Sequence, residues 1–237
     1  MKKITIFLLI FYMIPQLNAS VNDDASSYYK AQNYDKALEI YKNLNDDTNP
    51  YILYNMANCY YKLNDKTNAM IYYLKAFKLK PRDKNIRENL ITVAKQNGET
   101  IFSEDIPQFL YRIYYFFSDL ELKAISELFF FLLVLLIIIN THKKDDKLHG
   151  YIILSVLIFG IFFISYIMRK NSYLSNIAVT IYETELYSGP DKTFNSLAII
   201  PKGKIIKVIS DDENYLEVGV PKDNIKGWVE KNTIVKI

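Results

Sequence analysis

Three observations predict a multidomain membrane protein: an α-helical repeat region, two transmembrane helices and a small all-β barrel at the carboxy-terminal end. Apolar residues pool in three runs, Ile4–Ile14, Leu128–Ile139 and Tyr151–Met168. Small and aromatic residues recur at a fixed offset between the first two runs. After Arg169 the apolar period changes from helical to two. The expected organisation is a signal segment over 1–19, a repeat domain over 20–99 and an interfacial amphipathic helix over 100–121. A first span over 122–140, a cytoplasmic loop over 141–149 and a second span over 150–168 follow. A linker over 169–176 leads to the barrel over 177–237.

Composition removes most enzyme classes. The only histidines, His142 and His149, share one hydrophilic loop, and the single cysteine is Cys59. Disulfide scaffolds, cysteine-rich zinc sites and CxxC redox pairs are excluded. The soluble segments hold no histidine to serve as base for a Ser or Cys nucleophile, and no glycine-rich phosphate loop. An enzyme here would have to work with carboxylic acids alone. No catalytic residue, metal site or cofactor is expected. A net charge of +3 spread over 237 residues is too weak to argue for nucleic acid.

Lys2 and Lys3 precede Ile4–Ile14, then Pro15 and Leu17-Asn18-Ala19. This basic, apolar, small-residue order is that of a secretory signal cleaved after Ala19; an uncleaved anchor is the alternative. Both readings put the following residues outside the cytoplasm. Leu128–Ile139 alone is too short to cross about 30 Å of hydrocarbon, and extending it to Leu122 brings in Lys123 and Glu127. Twelve Leu, Phe, Val and Ile residues contribute roughly −4 to −7 kcal/mol, against about +3 for a central charge. Insertion wins. Gly150–Met168 is an uncharged second span closed by Arg169 and Lys170. Lys143, Lys144 and Lys147 between the spans make that loop cytoplasmic, so both soluble regions face the extracytoplasmic side. Glu127, one turn from Lys123, reads as an end-of-span pair rather than a proton path. Upstream, Phe109, Leu110, Ile113, Phe116, Phe117 and Leu120 recur at helical spacing, which predicts the helix at the outer interface.

Tyr28-Tyr29-Lys30 recurs as Tyr60-Tyr61-Lys62, and the same offset relates Ala25 to Ala57, Ala37 to Ala69 and Tyr41 to Tyr73. Small residues stand where helices must approach closely, with aromatics filling the gaps. Leu53, Met56, Ala57, Tyr60, Ala69, Tyr73 and Pro81 meet the pattern of the tetratricopeptide repeat, and the region resembles that family. Asp83 reads as the N-cap of a further helix through Lys95, with Leu90, Ile91 and Ala94 facing the repeat and Gly98 as its stop. The resemblance implies a concave peptide-binding groove lined by the first helix of each pair. The matching positions are Tyr29, Lys30, Tyr54, Asn55, Asn58, Tyr61 and Lys62. A solvated groove face without a ligand is the competing reading. Cys59 reads as a small packed residue.

Ala178–Tyr182, Ile205–Ile209, Tyr215–Val218 and Lys226–Glu230 are strand-like runs separated by turn residues. Four or five such strands suggest a small antiparallel barrel. Leu186-Tyr-Ser-Gly-Pro190, Pro201-Lys-Gly203 before Ile205–Val208, and Gly227-Trp228-Val229 resemble the motifs of bacterial SH3-like (SH3b) domains. Gly189, Pro190, Gly227 and Trp228 are its structural positions, with the glycines permissive in backbone and Trp228 in the core. Asp211, Asp212 and Glu213 read as a solvated hairpin tip.

The order of these modules resembles BatE-type proteins of the aerotolerance (Bat) operon. That resemblance implies a membrane-anchored, non-enzymatic scaffold in the bacterial inner membrane. Its implied partners are von Willebrand factor A-domain membrane proteins and a MoxR-type ATPase, in oxidative-stress or envelope homeostasis. The alternative is a wall sensor or anchor whose SH3b barrel holds peptidoglycan.

Overall fold

The computed structural model describes residues 23–103, 105–143, 146–221 and 223–237. The signal segment over 1–19 and its cleavage after Ala19 lie outside the described residues.

The recurrence in the sequence is a recurrence of turns as well as of packing. Helices α1 (residues 23–30) and α2 (Tyr34–Asn43) form one hairpin, and α3 (Pro50–Lys62) and α4 (Lys66–Leu79) the next. Between α1 and α2, Gln32 takes a left-handed φ of 61°, and Asn64 takes 63° between α3 and α4. Each is followed by an N-cap whose side chain accepts a backbone N–H three residues on: Asn33 from Lys36 at 3.3 Å, and Asp65 from Asn68 at 3.1 Å. Ala25, Ala37, Ala57 and Ala69 are fully buried, so the two helices of each hairpin approach closely where their methyl groups meet. Tyr41 and Tyr73 pack beside them and Pro81 is buried after α4. Helix α5 (Lys84–Gln96) starts on Asp83, whose carboxylate accepts from Asn85 and Ile86 N–H. It buries Ile86, Leu90, Val93 and Ala94. Ile91 turns instead to a cavity at the outer end of α5, a correction to the predicted stripe.

Helix α6 is short, Gln108–Tyr114, and only this part of the 100–121 stretch is helical before α7. Helices α7 (Asp119–Lys143) and α8 (Asp146–Lys170) have 25 residues each. At 1.5 Å per residue each measures about 37 Å, longer than a bilayer's hydrocarbon core. They form an antiparallel hairpin with Phe130 against Phe159 and Phe117 against Phe162. Most other apolar side chains on it point outward. Lys123 and Glu127 pair at 3.7 Å, one turn apart. Helix covers residues 141–143 and 146–149, so it occupies most of the 141–149 segment.

Seven strands follow: β1 (Ile177–Thr180), β2 (Thr184–Tyr187), β3 (Ser196–Ile200), β4 (Ile205–Asp211), β5 (Tyr215–Val220), β6 (Ile225–Glu230) and β7 (Ile234–Lys236). They form one antiparallel sheet in the order β3-β2-β6-β5-β4-β1-β7. Strands β2, β3 and β7 exceed the four or five read from the sequence. Their period is obscured, since Leu197 and Ile199 of β3 are exposed and β7 has three residues.

Strand β1 is buried on both faces. Ala178 packs with Leu186, Ile206, Leu216, Val218 and Val229 in the interior of the curled sheet. Ile177 and Val179, with Ile205 and Leu174, join the core of α3, α4 and α5 around Leu53, Met70, Phe77 and Leu90. The helical region and the sheet therefore share one apolar core. Lys78 Nζ donates to the Ile237 carbonyl at 2.8 Å, and Lys204 pairs with buried Glu99 at 3.6 Å across the same seam.

Three structural residues of the sheet differ from expectation. Neither Gly189 nor Gly227 has a left-handed φ; at Gly227 it is close approach of backbone that requires glycine. A Cβ on Gly227 would lie 2.5 Å from the Tyr187 carbonyl oxygen, and one on Gly189 2.6 Å from the Phe194 ring. Trp228 is half-buried on the outer face of β6, because the strand alternates and its neighbours Gly227 and Val229 take the inner face. Pro190, in the β2–β3 turn, is also half-buried.

Candidate functional site

The concave side of the helical region holds a cavity of about 350 Å³. Helix α1 supplies Tyr29, α3 supplies Tyr54, Asn58, Tyr61 and Lys62, and α4 supplies Tyr73. Helix α5 closes the far wall with Asn89, Thr92 and Val93. A hydrogen-bonded network forms the floor. Tyr73 OH donates to Asn58 Oδ1 at 2.5 Å. Asn89 Nδ2 donates to Tyr54 OH at 3.1 Å, with Tyr73 OH at 3.3 Å and Asn58 Oδ1 at 3.4 Å. At one rim Gln96 Nε2 donates to Tyr61 OH at 3.1 Å. Burial, with Cys59 nearby, raises the Tyr29 phenol above its ordinary value, and burial raises that of Tyr73 further. These phenols stay neutral and serve as hydrogen-bonding groups, not as bases.

Among the described residues, no carboxylate lines this cavity, and Lys62 is its one cation. Amides and phenols on a fixed floor match the N–H and C=O groups of an extended peptide, and tyrosine rings add rigid contact area. Five of the seven groove residues read from the sequence converge here: Tyr29, Tyr54, Asn58, Tyr61 and Lys62. Lys30 is exposed outside the cavity. Asn55 lies outside the cavity, its side chain turned toward α2, where it bonds the Tyr41 hydroxyl. Tyr60 also lies away from the groove, stacked on Tyr72 with ring centroids 5.3 Å apart. Tyr73 does double duty, its ring in the core and its hydroxyl in the cavity. Asn89, Thr92 and Gln96 of α5 were missed; their spacing on one helical face, flanking the apolar stripe, is the signal that marks them.

A second surface lies on the outer face of the sheet. Tyr187 of β2 pairs in register with Trp228 of β6, and the Tyr187 and Tyr215 rings stand edge to face at 6.4 Å. Lys192 and Glu230 close one side at 2.5 Å. The predicted acidic hairpin tip is partly neutralised. Asp211 binds Lys231 at 2.5 Å and also binds Lys236, and hydrogen bonds from these two lysines hold its carboxyl below the ordinary value. Among the described residues, no cluster of three or more His, Cys, Asp or Glu could hold a metal ion. Cys59 is fully buried in the core of α1, α2 and α3, and burial raises its thiol to about 12.

The tetratricopeptide repeat profile matches residues 50–83, which span α3, α4 and the turn after them. Among solved structures, the chain resembles the type III secretion translocator chaperone SycD of Yersinia enterocolitica. The two are 12% identical, the alignment covers 64% of this chain and 85% of that one, and the TM-score is 0.33. No curated protein sequence matches. The pair α3–α4, whose inner face carries most of the cavity, is thus a tetratricopeptide repeat, and it supports a role in binding protein partners.

Proposed function

We propose that this chain is a membrane-anchored, non-enzymatic scaffold whose helical groove holds an extended segment of a partner protein. The observation that carries this reading is the preformed network of Tyr54, Asn58, Tyr73 and Asn89 beneath an acid-free cavity. A floor already fixed by hydrogen bonds avoids the entropy of ordering those side chains on binding. Helices α7 and α8 are the anchor. The lysines of the 141–149 segment favour a cytoplasmic tip, with both soluble parts outside the bacterial inner membrane. That Asp119 of α7 and Arg169 of α8 meet at 3.4 Å is consistent with this placement. Resemblance to BatE-type proteins supports von Willebrand factor A-domain membrane proteins and a MoxR-type ATPase as the surrounding complex.

The test is co-purification of such an A-domain protein with the full chain from native membranes. Lys62→Glu combined with Thr92→Arg alters two exposed lining residues without entering the core. Retention should fall at least about tenfold, the equivalent of about 1.4 kcal/mol, at unchanged thermal stability. Lys30→Glu, outside the cavity, should retain the partner. Equal retention by all three proteins would remove the groove from the mechanism.

A second reading, wall binding, is favoured by the aromatic face of Tyr187, Tyr215 and Trp228, which suits the flat apolar faces of peptidoglycan sugars. Because β1 is part of the core shared with the helices, the full chain is the proper reagent, not a sheet fragment. Detergent-solubilised protein should sediment with isolated cell wall, and Trp228→Ala should lose that sedimentation. Failure of the native chain to sediment would eliminate this reading.

A further inference from the structure

We propose that α6 is a phospholipid-binding element, seated in the outer interface of the bilayer with Arg112 on a headgroup phosphate. This rests on the membrane-spanning reading of α7 and α8 and adds a specific lipid site to it. Phe109, Ile113 and Phe116 lie on one side of α6 and the turn after it, and Ile113 is 68% exposed. With Phe117 and Arg112 they line an open concavity of about 560 Å³. Four apolar side chains around one guanidinium make a poor surface for water. They suit a phospholipid, whose acyl chains lie against the apolar side chains while its headgroup phosphate accepts two parallel hydrogen bonds from the guanidinium.

Lipid is assigned as the occupant because this surface is continuous with the hairpin and fixed at its end. Phe117 packs on Phe162 of α8 with centroids 5.4 Å apart. Arg169, one residue before the end of α8, donates to the Tyr114 carbonyl and lies over the Tyr114 and Tyr115 rings. Leu120, in the first turn of α7, is 71% exposed beside them. From the other side, Arg82 donates to the Phe116 carbonyl and binds Glu121 with both terminal nitrogens, at 2.7 and 3.0 Å. Helix α6 therefore sits level with the point where the spans leave the hydrocarbon. An apolar side chain exposed at that height meets lipid. The same bonds tie α6 to the helical region, so its seating fixes the height and tilt of the groove above the bilayer.

Nitroxide labelling of the full chain tests this, since Cys59 is buried with a raised thiol pKa and does not compete with an introduced cysteine. Labels at Ile113→Cys, Phe109→Cys, Ile137→Cys in α7 and Glu88→Cys on α5 are compared in vesicles of phosphatidylcholine mixed with phosphatidylglycerol. Collision with a water-soluble nickel chelate should be roughly tenfold lower at 113 and 109 than at 88, with oxygen collision retained, as for a side chain buried in the headgroup boundary. Adding Arg112→Glu should raise nickel collision at 113 several-fold, and free inorganic phosphate in the buffer should not. A label at 113 that meets nickel freely, or that meets neither reagent because protein covers it, overturns the proposal while 137 still reports lipid. A label at 137 open to nickel overturns the membrane-spanning reading itself. A label at 113 unmoved by Arg112→Glu removes the phosphate contact.

Discussion

Replacing Phe77 with alanine lowers the stability of the body formed by the helical region and the sheet by about 3–5 kcal/mol, the usual loss for a large aromatic side chain removed from a packed core. Phe77 is 2% exposed, and its ring meets those of Phe102 at 5.8 Å and Tyr115 at 5.4 Å. It belongs to the one apolar cluster that includes residues of α3, α4, α5, β1 and β4. The cavity left by the ring cannot be refilled by one helix shifting alone, because α4 is held against both α3 and α5. The consequence distinguishes one body from two. Trp228 is the only tryptophan and reports on the sheet, whereas ellipticity reports on the helices. In Phe77→Ala both signals should shift to lower denaturant together, as a single cooperative unit requires. If the helical signal moved while the Trp228 signal stayed, the shared core would not couple the two parts.

Arg169→Ala is the second large effect, at about 3 kcal/mol, the lower end of the range for removing one partner of a buried ion pair. The guanidinium side chain is 5% exposed, while Asp119 is 39% exposed and can be partly rehydrated once alone. The substitution also removes the donor to the Tyr114 carbonyl and a cation held 4.1 Å from the Tyr115 ring. Since Arg169 joins the ends of α7 and α8 to α6, the loss should be local as well as global. Backbone amide exchange in 108–118 should accelerate before that of β5 and β6. Arg169→Lys keeps the charge but not the planar fork or the stacking, and should recover less than half of the loss. A full recovery by lysine would show that charge alone holds this junction.

Much of the architecture is legible without coordinates because it depends on local chemistry. The alanines at a fixed offset and the Asp83 cap are short-range instructions, each read from the residue types alone. Two long apolar helices follow from composition alone. Groove residues on α3 were readable because helical spacing fixes which side chains share a face. Lys30 and Asn55 were misplaced for a related reason: a match to a repeat pattern gives a position on a helix, but its neighbour decides which side is lined.

Sequence alone determined the helical repeat, the apolar hairpin and the strand-rich end, since periodicity and capping act over one or two turns of chain. Tertiary structure decided that α5 completes the cavity, that Trp228 faces outward and that β1 is buried on both sides. It also decided that Gly227 is needed for close approach and not for its φ. Each of these depends on which distant segment comes to lie opposite, as with Lys78 and Ile237, which are 159 residues apart. That pairing is set by packing volume and buried polar satisfaction, quantities that no local pattern encodes.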